Sequence, residues 1–228
     1  MAAVVFILGT LLVLLALAWA TYQSGKVLRT VTLRENLLLA PLENVVKAGI
    51  IGLCFALAAI SGLPPAQFGW NFAHPGADVI AGLLVGLTVP FVVNGITRWA
   101  IARFGKGIYS DVVLRNIFPR SRRDWLLVPA AMLLAVLLEE VLFRALLVGG
   151  MSAFAPPALL VVGGGIIFGV MHSPQGSLGV IVSAVLGMGL SGLFLWSGSL
   201  LAPLLAHYLI NLLQLLRARE EWNELPES

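Results

Sequence analysis

Residues 126–149 read LLVPAAMLLAVLLEEVLFRALLVG, an apolar run broken only by Glu139, Glu140 and Arg144. A helix of about 20 apolar residues crosses the hydrocarbon core of a bilayer, so this stretch predicts a transmembrane helix with three ionisable groups inside it. A strand is excluded, because an open strand in hydrocarbon leaves its backbone unpaired and the alternation of a membrane barrel is absent. Working outward, comparable runs occupy residues 3–22, 43–62, 78–97, 157–172, 177–196 and 199–216. The expected fold is all-α, a polytopic transmembrane bundle of about seven spans.

Composition agrees. The 228 residues are 59% hydrophobic and 11% charged, with a mean hydropathy of +0.97, whereas soluble domains average about 25% charged. The run 3–22 has no basic residue before it and no small-x-small site after it, so it reads as a retained helix rather than a cleaved signal. Cys54, the single cysteine, has no thiol partner for a disulfide or a metal site and is expected to serve packing.

The modest charge of +3 sits at span boundaries, which speaks against nucleic-acid binding and for a topological role. Lys26, Arg29, Arg34 and Lys47 flank the first connection. Arg98, Arg103, Lys106, Arg115, Arg120, Arg122 and Arg123 fill the third, and Arg217 and Arg219 follow the last span. Seven spans place all of them on one side, giving an outside N-terminus and a cytoplasmic C-terminus in what is expected to be a bacterial or archaeal cytoplasmic membrane.

Residues 104–125 are expected either to lie in the interface as a helix anchored by Trp125 or to form a solvated loop. The spacings Gly82/Gly86, Gly165/Gly169 and Ser183/Gly187/Ser191 place small residues on single helix faces, where backbones can approach closely. The acidic end, Glu220 to Ser228, is expected to fray.

Ionisable groups within spans cost on the order of 3 kcal/mol each and usually mark function or pairing. Here they are grouped: Glu139-Glu140-x-x-x-Arg144 on the fourth span, Phe168-x-x-x-His172 on the fifth, and His207-x-x-x-Asn211 on the seventh. Glu140 and Arg144 are four apart and share a face, while Glu139 points about 100° away. Glu140 therefore has a cationic partner on its own helix and reads as a brace; Glu139 has none and is the better general base. A packing network of all three is the structural alternative. His172, just before Ser173-Pro174, closes its helix and taken alone would read as a cap. His207 and Asn211 share a face and can donate jointly to one oxygen, or act as interhelical glue. Two of the three histidines lie in spans following the Glu-Glu helix, which favours a site. His74, beside Pro75-Gly76, reads as a loop residue.

These three motifs, in this order on successive membrane helices, resemble those of the CPBP (Abi) family of CAAX proteases and bacteriocin-processing enzymes. The resemblance covers roughly Trp125 to Leu216, shows no departure at a motif position and extends to Gly198-Ser199-Leu200 and Pro203; the first three spans match nothing specific. It divides the chain into N-terminal helices with a basic connection, residues 1–124, and a catalytic core, residues 125–217, within one structural domain. It implies peptide-bond hydrolysis, with Glu139 and His172 activating water, His207 and Asn211 stabilising the oxyanion, and Glu140, Arg144 and Phe168 in support.

No certain cofactor follows. Zn²⁺ held by His172, His207 and Glu139 is one route, since the family has often been called metalloproteases. The absence of H-E-x-x-H and the poor donor Asn211 favour a metal-independent water. The expected partners are the lipid bilayer and a peptide or protein substrate, prenylated or not, entering from the membrane or cytoplasmic side. The site is expected between the fourth, fifth and seventh spans. A non-catalytic membrane scaffold or bacteriocin-immunity factor is the main alternative. A transporter ranks third, because no inverted repeat is visible. For straight, fully spanning helices, Glu139 and His172 would sit at different depths, so the fourth span must begin deeper or the fifth must be tilted or offset.

Overall fold

The computed structural model describes residues 1–223 except Thr32, Arg34 and Phe72, and excludes the side chains of residues 220–223. Arg34 as a boundary cation and the fraying of Glu220–Ser228 therefore fall outside the described residues, beyond the helical backbone to Asn223. Among the described residues there is no strand. The chain forms α1 (Ala2–Thr30), α2 (Pro41–Ser61), α3 (Pro75–Phe104), α4 (Val112–Ile117), α5 (Arg122–Glu140), α6 (Pro157–Met171), α7 (Gly176–Ser197) and α8 (Leu201–Asn223). Short 3₁₀ turns lie between several of them.

Local chemistry sets the ends. Proline opens α2, α3 and α6, where its missing N–H costs nothing and its fixed φ suits the first turn. The Ser121 hydroxyl accepts from the Asp124 N–H at 3.1 Å and caps α5. Gly62 and Gly198 end α2 and α7 at φ 74° and 64°, the left-handed conformation that glycine adopts without a Cβ clash.

Every expected run carries a helix, and six are long and apolar enough to span: α1, α2, α3, α5 with its continuation to Ala153, α7 with its preceding turn, and α8. The exception is α6. Its 15 residues reach only about 22 Å, short of a hydrocarbon core of about 30 Å. Of the two readings of 104–125, a continuous interfacial helix does not form: Gly105 ends α3, and only Val112–Ile117 is α-helical before α5 begins. Outward apolar side chains such as Leu12, Phe91 and Ile181, all more than 60% exposed, form the surface that faces lipid.

The small-residue faces act as contact seams. A Cβ on Gly82 would meet the Ala202 carbonyl oxygen at 2.8 Å, and one on Gly86 would meet Leu209 Cβ at 2.8 Å, so α3 and α8 touch backbone to backbone. Gly169 sits equally close to Val180 and Ala184, joining α6 to α7, while Gly187 rests on Phe168. Dispersion and close packing supply this association, because lipid is as apolar as the helices.

Candidate active site

After Glu140 the fourth span changes helical type. Val141–Gly149 is a π-helix whose nine residues are all buried, flanked by right-handed helical φ and ψ at Val141 and Gly150. A π turn inside an α-helix is rare and concentrates at functional sites. Here it begins between the paired glutamates and Arg144.

Glu140 and Arg144 are both 0% exposed. Arg144 Nη1 donates to Glu140 Oε1 at 2.8 Å, Nη2 donates to the Gly187 carbonyl on α7 at 3.2 Å, and the guanidinium lies 5.1 Å from the Phe168 ring on α6. The Ser191 hydroxyl donates to the same Gly187 carbonyl at 2.8 Å. One arginine thus ties α5, α6 and α7 together, as the brace inferred from spacing requires. Gly187 and Ser191 had been legible only as small residues, and nothing in the sequence marked them as Arg144's anchorage.

His207, from α8, joins the same carboxylate: its Nδ1 is 2.7 Å from Glu140 Oε1. Arg144 can only donate, so Oε1 is an acceptor and Nδ1 is the protonated nitrogen. The other ring nitrogen, Nε2, faces Glu139 Oε2 at 3.5 Å. Glu139 therefore has a partner after all, supplied by another helix, and His207 stands between the two carboxylates.

His172 follows α6. Its Nδ1–H donates to the Phe168 carbonyl at 2.7 Å, which commits that nitrogen and leaves Nε2 as the lone-pair nitrogen. Its ring lies 4.6 Å from Phe168 and the Phe168 ring 5.9 Å from His207, so Phe168 is the apolar spacer between the histidines. The turn after His172 is fixed from outside: Arg29 donates to the Ser173 carbonyl at 3.4 Å, Pro174 packs on Gly25, and the Ser110 N–H donates to the Gln175 carbonyl at 3.0 Å.

Glu139 and His172 line one cavity of about 640 Å³. With its side chain 30% exposed, Glu139 is the accessible carboxylate and Glu140 the sealed one. The depth mismatch expected for two straight spanning helices does not arise, because α6 is short and its C-terminal turn brings His172 to the cavity. One expectation is corrected. The polar side chains meet between the fourth, fifth and seventh spans, but none of the described side chains of α8 lines the open cavity. His207 is buried behind Glu139, and much of the remaining wall comes from Leu17 to Leu28 on α1 and from Glu43, Val46, Lys47 and Ile50 on α2. Asn211, one turn beyond His207, is half-buried, makes no side-chain hydrogen bond among the described residues and does not line the cavity. The structure therefore brings Glu139, Glu140, Arg144, Phe168, His172 and His207 together and leaves Asn211 at their edge.

The same geometry bears on zinc. Among the described residues no three side chains of His, Cys, Asp or Glu converge on a point that could hold a metal ion. The Phe168 ring stands between His172 and His207, so Glu139, His172 and His207 do not form a tetrahedral site as arranged.

The family model described as type II CAAX prenyl endopeptidase Rce1-like matches residues 121–213. Comparison with curated proteins and with solved structures found no match.

Proposed function

We propose that the chain, whose residues 121–213 match the Rce1-like model of type II CAAX prenyl endopeptidases, is an intramembrane endopeptidase working through a glutamate- and histidine-activated water. The observation that carries this reading is that Glu139 and His172, from different helices, face one cavity, with His172 Nδ1 committed so that Nε2 is the proton acceptor there.

In this mechanism Glu139, assisted by His172 Nε2, takes a proton from water as the oxygen attacks the scissile carbonyl carbon. The resulting oxyanion is assigned to His207 and Asn211, neither of which lines the cavity before substrate enters, so both must reach it by rearrangement. For His207 this requires a proton on Nε2 in addition to the one on Nδ1, which bonds Glu140 at 2.7 Å. Asn211 must turn towards the same oxygen, which its lack of a competing hydrogen bond permits. Collapse breaks the C–N bond, and the proton held by Glu139 and His172 passes to the leaving amine, giving a carboxylic acid and an amine. Phe168 and the apolar walls exclude bulk water, which strengthens each electrostatic contact.

Leu37 and Val113, from the first and third connections, which carry basic residues, line the cavity together with Lys47. The bias of Lys and Arg towards cytoplasmic loops puts those connections in the cytoplasm, so the peptide enters from the cytoplasm or the adjoining leaflet. The test is cleavage of a farnesylated CAAX peptide by the full chain in lipid nanodiscs. Glu139→Ala and His172→Ala should each abolish product while still inserting and folding. Full activity in Glu139→Ala would sink the mechanism, and a Glu139→Gln form that rescues a cellular phenotype without cleavage would favour a non-catalytic scaffold.

A further inference from the structure

The cavity is walled mainly by aliphatic side chains, yet one cation reaches it. Lys47 on α2 lines the same cavity as Glu139 and His172. No other Lys or Arg among the described residues does so. Its position was legible in the sequence only as a topological charge at the edge of the second span.

The geometry around Lys47 is not that of a solvated helix-surface pair. Its Nζ donates to Glu43 Oε2 at 2.7 Å, one turn earlier on α2, but the two side chains differ in exposure: 16% for Lys47 and 43% for Glu43. Both side chains line the cavity, and the cation is the more buried of the two. An ammonium carries three N–H donors, and Glu43 takes the one hydrogen bond Lys47 makes among the described residues. The remaining donors stand on the wall of an apolar space beside the proposed water-activating pair. A flexible, compact cation there can pair with one oxygen of an anionic group that enters the cavity.

We infer that Lys47 is a specificity-determining residue that binds a carboxylate in the C-terminal segment of the peptide substrate. Glu43 holds the ammonium in place when the cavity is empty and yields part of it when the carboxylate enters. The inference rests on the endopeptidase reading given above, deepening it by naming the group on the substrate that is recognised. A carboxylate can be offered by the chain terminus or by an acidic side chain, and both make the same ion pair.

The experiment uses the full chain in lipid nanodiscs and three farnesylated CAAX peptides: one with a free C-terminal carboxylate, its C-terminal amide, and the amide carrying a glutamate at the last position. Lys47→Met is expected to raise KM for the free acid tenfold or more with kcat within twofold of wild type, and to leave the plain amide unchanged. Lys47→Arg should recover most of the loss. If the glutamate-bearing amide behaves like the free acid, the side chain is an accepted source; if it behaves like the plain amide, the terminus is the one read. Glu43→Gln is expected to leave KM for the acid unchanged or lower it.

The proposal is overturned if Lys47→Met affects acid and amide alike, or if Glu43→Gln does the same damage as Lys47→Met, since either marks the pair as structural. Binding of the labelled peptides to Glu139→Gln protein separates the two levels. Preference for the acid that vanishes with Lys47→Met, when the wild-type chain cleaves none of the peptides, keeps the carboxylate site and sinks the endopeptidase reading. Equal or absent binding of acid and amide sinks the site.

Discussion

Replacing Arg144 with methionine should be among the most destabilising single changes in this protein. The guanidinium is fully buried and makes three contacts: the ion pair to Glu140 at 2.8 Å, the bond to the Gly187 carbonyl at 3.2 Å and the approach to Phe168 at 5.1 Å. The carbonyl survives its loss, because Ser191 still donates to it at 2.8 Å. Glu140 does not: its carboxylate, also fully buried, would keep only His207. Removing one member of a buried ion pair costs about 3–5 kcal/mol, mostly as the penalty of stranding the other charge, or on the order of 10² to 10⁴ in the unfolding equilibrium. The double variant Glu140→Gln with Arg144→Met leaves no buried charge uncompensated and should be markedly less damaged than Arg144→Met alone. Reversible unfolding in mixed detergent micelles measures both. A loss below about 1 kcal/mol for Arg144→Met, or a double variant as poor as the sum of its parts, would refute the stranded-charge explanation.

Other substitutions probe the site more directly. Glu139→Gln should abolish cleavage yet change stability by less than about 1 kcal/mol, because the side chain is partly exposed and makes only the 3.5 Å contact to His207; unfolding and peptide assays on one preparation decide it. Gly169→Val should cost about 1–3 kcal/mol by overpacking, since even a Cβ there would stand 2.7 Å from that of Ala184; it should also lose activity by displacing His172, visible as impaired turnover at temperatures where the protein remains folded. Activity is expected to survive exhaustive chelation, and loss that stoichiometric zinc restores would overturn the metal-independent water. Asn211→Ala should lower kcat more than it raises KM if Asn211 meets only the oxyanion; an unchanged kcat would remove it from the mechanism.

The helices themselves were legible because lipid leaves the backbone no alternative: an apolar run of sufficient length must satisfy its own hydrogen bonds. The seams were legible for a related reason, since Gly82/Gly86 and Gly165/Gly169 recur at helical spacing and become close contacts of α3 with α8 and of α6 with α7. The pairing of Glu140 with Arg144 followed from one helix's geometry and stands at 2.8 Å. Where local periodicity ended, so did legibility. Residues 104–125 alternate basic and apolar positions, yet Gly105 breaks the backbone and no continuous helix forms.

By itself, then, the sequence determined an all-helical membrane bundle, the six polar side chains Glu139, Glu140, Arg144, His172, His207 and Asn211, and their division among three helices. Only the tertiary structure decided how they are used: that His207 bonds Glu140 through Nδ1 while facing Glu139, that the fourth span turns π-helical at Val141, and that α1 and α2, which matched no motif, supply the cavity wall and with it Lys47. The physical reason is range. Burial of apolar surface and helical pairing act over a few residues of one segment, whereas a hydrogen bond between His207 and Glu140, or a cavity shared by Leu17 and His172, depends on how separate helices pack.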